Sequence, residues 1–271
     1  MLTPIFFNNN QPSFGVNYKS PKLRLSQKDF FIRIPGYGQN KAWVNIIKKT
    51  TDEAVKNIRD GWDSDWVLFS IAQGVKYANK IPLDLALRSH TGVLRCKKAG
   101  WECESDWTGC VITTPYDAYK YKTYEKRLDA LDGNPLKKPF EDIALAFPSS
   151  VTKEIYHPAP DFIENALKHI EKRFRFLQDK FVKNEVQEQD LKIVNDNIAE
   201  IRWIMAHSMP WERGSDSISN VFMRAIYKAM GVKAYPPAKG ISFDLEAFCT
   251  NLDDYKEKFT SFFEKPPVVV E

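Results

Sequence analysis

Apolar residues in the second half of the chain recur at Ile163, Leu167, Ile170, Phe174, Leu177 and Phe181, spaced alternately four and three apart. A 3.6-residue period keeps such a series on one face, so it predicts a long amphipathic helix capped near Asp161. Leu191, Val194, Ile198, Ile201 and Met205 repeat the pattern, and the short polar connection Gln187–Asp190 makes these two helices antiparallel neighbours. Ile218, Phe222, Ala225, Ile226 and Ala229 define a third helix, stopped by Gly231 in the left-handed cap position. A fourth runs roughly from Phe243 to Phe263. The fold class expected is mainly α, a helical bundle.

The first half is less regular. Trp43, Ile46 and Ile47 stand at helical spacing, and Thr50-x-x-Glu53 has the capping-box form that opens a helix through Ala54, Val55 and Ile58. Ser64 or Asp65 caps the next, through Trp66, Phe69, Ile71 and Val75, and Pro82 suits the first turn of a short helix over Leu83–Arg88. Between Thr91 and Tyr124 the chain is dense in Gly, Cys, Trp, Thr and Tyr, and Gly109–Pro115 has strand character. A small β-hairpin or irregular lobe inserted into a helical fold accounts for it. Three units follow: a flexible leader over 1–26, a helical N-terminal lobe over 27–150 carrying the insert 91–124, and a C-terminal bundle over 151–271.

Composition narrows the classes of function. The 43% hydrophobic and 27% charged content of the 271 residues is that of a globular chain. The 39 basic residues are interleaved with 35 acidic ones for a net charge of +4, too little for a nucleic-acid footprint. No stretch reaches the ~18 consecutive apolar residues of a membrane span. The N-terminus lacks the basic region, long apolar region and cleavage site of a Sec-type signal, so synthesis in a reducing cytoplasm is expected. Cys96, Cys103 and Cys110 are separated by six residues each, which lacks the close chelate pairs of a zinc knuckle.

The candidate chemistry lies in the loop His207–Ser217, between the second and third bundle helices. Gly214-Ser215-Asp216-Ser217 runs into the helix that begins at Ile218, where free backbone N–H groups and the positive end of the helix dipole attract an anion. Arg213 adds a guanidinium fork for phosphate or carboxylate. Gly214, Ser215 and Ser217 complete the phosphate-binding set. His207 and Glu212 place two proton-transfer groups in the same loop and are the expected catalytic pair.

This arrangement resembles proteins of the Fic/Doc type, in which a helix, a loop of the form H-x-F-x-[DE]-G-N-G-R and a second helix bind nucleotide phosphate. The helix Ile198–Ala206 leading into His207, the pair Pro210-Trp211, the pair Gly214-Ser215 and the following helix to Gly231 carry the likeness, over about 191–235. The resemblance implies transfer of AMP or a related nucleotide moiety from ATP, with Mg²⁺, to a hydroxyl of a protein target. His207 would be the base, and Arg213, Gly214 and Ser215 would surround the phosphates. It also implies a bacterial effector, made without a Sec signal, secreted into a host cell and acting on a host protein.

Two other readings stand beside it. His90, in Arg88-Ser89-His90-Thr91-Gly92, could pair with a thiol of the Cys96–Cys110 segment as a Cys–His protease or transglutaminase-like enzyme. Alternatively Trp101, Trp107, Tyr116, Tyr119, Tyr121 and Tyr124 could form a partner-binding face of a non-catalytic interaction module, or pack the insert onto the bundle.

Overall fold

The computed structural model describes Asp29 and residues 41–79, 90–95, 112–116 and 122–270. The expected leader, the helix over Leu83–Arg88, the three cysteines of the insert and Trp101, Trp107, Tyr119 and Tyr121 lie outside them.

The first three expected helices of the second half are present. A 3-10 turn at Pro160–Phe162 opens the first, with Pro160 at the position where its missing N–H costs nothing. In chain order the helices are α1 (Lys41–Arg59), α2 (Ser64–Ala78), α3 (Lys122–Asp129), α4 (Ile163–Leu177), α5 (Leu191–Ser208), α6 (Ser215–Ala229), α7 (Phe243–Phe248) and α8 (Leu252–Lys258). A wide π turn carries α4 on through Gln178–Val182, so its stripe reaches Phe181 as the spacing requires. The α4 face Ile163, Leu167, Ile170, Phe174 and Leu177 is buried against α5, and Phe174 meets Phe222 of α6 at a 5.4 Å ring separation. Gly231 has φ +73 just past α6, the left-handed stop expected of it.

Two expected helices take another form. Thr50 does not start a helix, because α1 runs unbroken from Lys41 to Arg59. Its side chain is instead buried where α2 crosses, so close that a Cβ on Gly74 would fall 2.3 Å from the Thr50 hydroxyl oxygen. Tertiary packing outweighs the capping pattern there. The helix expected over Phe243–Phe263 divides into α7, α8 and a 3-10 turn at Phe259–Phe262. Thr250 donates its hydroxyl back to the Glu246 carbonyl at 2.7 Å, and Asn251 is extended at ψ 154, which together interrupt the helix. The break folds the chain back and gathers Phe243, Tyr255, Phe259, Phe262 and Phe263 into one aromatic cluster.

The strand character expected over 109–115 is present at Thr113–Pro115, strand β1. It lies antiparallel to β3 (Glu154–Tyr156), which pairs on its other edge with β2 (Phe147–Ser149). Thr113 and Phe147 both stand opposite Tyr156. The small sheet therefore bridges the expected boundary at 150, and so does α1, which packs on α6. Arg59 of α1 donates to the Ala229 and Lys228 carbonyls at the α6 C-terminus. A second short pair, β4 (Val232–Lys233) with β5 (Val268–Val269), closes the C-terminal end.

Candidate functional site

Helix α5 carries one loop of the site and ends abruptly. Met209 takes a left-handed conformation, φ 41, and donates its N–H to the Met205 carbonyl. At the far end Gly214 has φ +86, which turns the chain into α6 at Ser215. The intervening loop is held by a segment from the other half of the chain. Arg95 N–H donates to Pro210, Glu212 N–H to Val93, and Gly92 N–H to Arg213, at 2.8, 3.0 and 3.1 Å. The buried Arg95 guanidinium adds bonds to the Met209 carbonyl at 3.0 Å and the Pro158 carbonyl at 2.6 Å. This seam is tight. A Cβ on Gly92 would lie 2.7 Å from the Ala72 carbonyl oxygen, and one on Gly214 would lie 3.2 Å from the Thr91 methyl.

The loop residues singled out by sequence are not brought together as one group. His207 lies in the core with no exposed surface. Its Nε2 faces the Ala247 carbonyl at 3.2 Å, and its ring rests on Trp203 and Phe248. Burial pushes its pKa down to about 4, so it is a neutral core imidazole. That corrects the expected pairing of His207 with Glu212 as exchange groups. Glu212 is also fully buried, and its carboxylate meets His90 instead, with Oε2 2.5 Å from Nδ1. Ser215 is buried too, its hydroxyl donating to the Trp211 carbonyl at 2.9 Å. Arg213 is exposed, and Gly214 and Ser217 are half-buried at the start of α6.

The surprise at that helix start is beneath it. Arg202 of α5, fully buried, donates through Nη2 to Asp216 Oδ1 at 3.0 Å and to Asp244 Oδ1 at 2.8 Å. Asp216 sits in the first turn of α6 and Asp244 in the first turn of α7. Phe243 lies under the guanidinium, 5.4 Å from ring centroid to Cζ. Burial, and then the charge of Asp216, raise the Asp244 carboxyl to about 8, against the opposing pull of Arg202. The Arg202 guanidinium is held protonated; burial works against this, and the charges of Asp244 and Asp216 outweigh it. Among the described residues Nε and Nη1 of Arg202 have no hydrogen-bond partner, although the side chain is wholly enclosed. Unsatisfied donors on a buried cation are costly, of order 1–3 kcal/mol each.

A second buried arginine, Arg224 of α6, lies close enough for the two charges to repel. Burial foremost, with Asp29 opposing and Arg202 adding to it, lowers its pKa to about 10. It donates to the Ala234 and Tyr235 carbonyls at 2.7 Å, and its Nε and Nη2 are likewise unpartnered among the described residues. Arg202 lies beneath the N-terminus of the 15-residue α6, where backbone N–H groups and the helix dipole favour negative charge, and Arg224 is further along the same helix. The exposed edge is carboxylate: Asp216 and Asp244 keep 30% and 17% of their side-chain surface.

Sequence reasoning missed Arg202, Asp244 and Arg224. A signal was there for the first. From Ile198 to Ser208 α5 is buried on every side, and the apolar run Trp203-Ile204-Met205-Ala206 overfills a single stripe; an arginine inside such a run is internal. Asp244 and Arg224 carried no comparable mark. Of the rival readings, the thiols of the insert lie outside the described residues. Cys249 is half-buried, and burial pushes its thiol up to about 12, far from a reactive thiolate. Tyr116 and Tyr124 pack into the core, their hydroxyls bonded to Asp129 and to the Gly240 carbonyl.

The fold is mainly α, with a loop and the start of α6 over the buried Arg202 and its two carboxylate partners. The model of the AvrB_AvrC avirulence proteins matches residues 125–266. That is more than half of the chain, which belongs to this family. The match corrects the Fic/Doc resemblance, which rested on a short loop where Asp216 and Ser217 already stood in place of the pattern's second glycine and closing arginine. No curated protein matches the chain. The protein is thus a bacterial avirulence effector, and no helix among its described residues is long and apolar enough to cross a membrane.

Proposed function

We propose that this effector is an enzyme that transfers a group from a phosphate-bearing donor to a hydroxyl of a host protein. The observation that carries the reading is the buried Arg202, with two unpartnered donor atoms beneath the N-terminus of α6 and a high-pKa carboxyl beside it. The α6 backbone at Gly214–Ser217 and the exposed Arg213 would take the donor's phosphate oxygens, with the charge of the enclosed Arg202 beneath them. Asp244, whose carboxylate form is a stronger base than an ordinary one, would accept the proton of the attacking hydroxyl. The new bond forms between that oxygen and the donor's electrophilic centre, and the phosphate-bearing leaving group departs with the electrons of the broken bond.

ATP is the first donor to test, with and without Mg²⁺. Among the described residues no group of three metal-binding side chains gathers, so Mg²⁺ would arrive on the phosphates. The test is calorimetric binding of ATP and of inorganic pyrophosphate, followed by transfer of label from ATP into host-cell extract. Binding that is lost in Arg202→Met, with transfer lost and binding retained in Asp244→Asn, supports the reading. Absence of binding by the folded wild-type protein overturns it. Label that transfers equally well with Asp244→Asn overturns the assigned base.

A further inference from the structure

Two segments distant in sequence run side by side at the C-terminal end of the fold. Lys233 stands opposite Val268 in the β4–β5 pair, Glu264 N–H donates to the Pro236 carbonyl at 2.8 Å, and Ala238 N–H donates to the Phe262 carbonyl at 2.9 Å. Pro236, Pro237, Pro266 and Pro267 fix φ on both segments. Behind them the buried Arg224 holds the Ala234 and Tyr235 carbonyls, each at 2.7 Å. The surface they carry is built on pinned backbone.

This platform presents one aromatic ring shared by two cations. The Lys233 ammonium lies 4.8 Å from the Tyr235 ring centroid and the Lys265 ammonium 5.8 Å from it. Both lysines are exposed and Tyr235 is half-buried. The exposed Lys168, Lys183 and Lys192 each hold a carboxylate four residues away, at 3.0, 2.6 and 2.7 Å. Lys233 and Lys265 have no such partner among the described residues, adjacent Glu264 included. The two charges are no more than about 11 Å apart, roughly one Debye length at 0.1 M salt, so they repel each other in the free protein. The ring attracts both, and anionic groups laid across it relieve the repulsion that remains.

The chemistry this selects is an acidic polypeptide. In an extended chain, residues two apart project from one face about 7 Å from each other, which gives each ammonium its own carboxylate. Two cations are too few for a nucleic-acid backbone, which is held through many phosphate contacts. The pinned backbone means that little freedom is lost on binding. We propose that Lys233, Tyr235 and Lys265 form a docking site for an extended acidic segment of a host protein. The site uses none of the residues assigned to the phosphate-bearing donor, so the two readings succeed or fail separately.

The test uses the full chain and a fluorescein-labelled octapeptide of alternating glutamate and serine, followed by anisotropy at low salt. The peptide should bind and be released by added salt, and its glutamine–serine counterpart should not bind. Lys233→Met with Lys265→Met, which keeps the aliphatic stems, should weaken binding about tenfold. Lys168→Met with Lys192→Met, elsewhere on the surface, should leave it unchanged. Side-chain nitrogen NMR of the wild-type protein gives a second readout, in which the ammonium signals of Lys233 and Lys265 move with the peptide. A peptide that does not bind the folded wild type, that binds the first double variant as tightly, or that leaves those two signals still at saturation overturns the proposal. Equal weakening by the second double variant overturns it in favour of unspecific charge attraction. A uridine oligonucleotide that binds more tightly than the peptide, and is lost in the first double variant, overturns it in favour of nucleic acid.

Discussion

Replacing His207 with glutamine should make the protein's stability less sensitive to acid, and the structure sets the size of the change. His207 is fully enclosed, and burial lowers its pKa from 6.5 to about 4. In the unfolded chain the same imidazole titrates near its ordinary value. Between these two values the unfolded state holds a proton that the folded state does not, so stability falls as pH drops through this window. From pH 7.5 to pH 5 a single such group removes about 2 kcal/mol of stability. His157, lowered to about 3 by burial and then by the charge of Arg95, acts in the same direction. It is present in both proteins, so its contribution cancels in the comparison. Glutamine keeps an amide donor for the Ala247 carbonyl and cannot titrate. The assay is urea unfolding of wild type and His207→Gln at both pH values, followed by tryptophan fluorescence. The variant starts lower at pH 7.5, because the ring contacts with Trp203 and Phe248 are lost, and the gap should narrow by about 2 kcal/mol at pH 5. A gap that stays constant within about 0.5 kcal/mol would show an imidazole in contact with solvent, and the assignment of His207 to the core would fail.

Asp244 should give the opposite sign. Its folded carboxyl holds a proton up to about 8, so stability falls as pH rises from the ordinary carboxylate range toward that value. Asp244→Asn should remove a loss on the order of 2 kcal/mol or more between pH 5 and 8.5, read by the same unfolding assay; an unchanged slope refutes the raised pKa. Gly92→Ala forces a side chain to φ +75 and against the Ala72 carbonyl oxygen. It should destabilise the protein by about 1–3 kcal/mol and speed amide exchange at Arg95 and Glu212, which bond across the seam; a neutral effect would mean that the seam is loose. Trp203→Phe loses the 2.9 Å indole bond to the Thr250 carbonyl and should cost about 1–3 kcal/mol, since the carbonyl is left unpaired in the core. A smaller loss by thermal unfolding would show that water reaches Thr250.

How much of this was legible in the sequence differs between the fold and the site. The α4, α5 and α6 helices follow from apolar spacing alone, because each buries one stripe and its period survives whatever the partner is. Gly231 also announces itself, as the left-handed stop that ends α6. Thr50 and the Phe243–Phe263 stretch went the other way. Capping chemistry and helical period are local preferences of about 1 kcal/mol, and burial of Thr50 against Gly74, or of the C-terminal aromatics against one another, outweighs them. The loop that runs into α6 at Gly214–Ser217 was visible in the sequence. The buried Arg202, Arg224 and Asp244 were not, since they stand apart in sequence and acquire their character only when enclosed together.

The sequence by itself determined the helical class of the fold, the stop at Gly231 and the loop that opens α6. Those are consequences of hydrophobic period and backbone conformation, both of which are properties of neighbouring residues. Only the tertiary structure decided which side chains do what. His207 became part of the core, Glu212 turned to His90, and Asp244 was raised by burial beside Asp216, because desolvation and charge–charge distance belong to no residue alone.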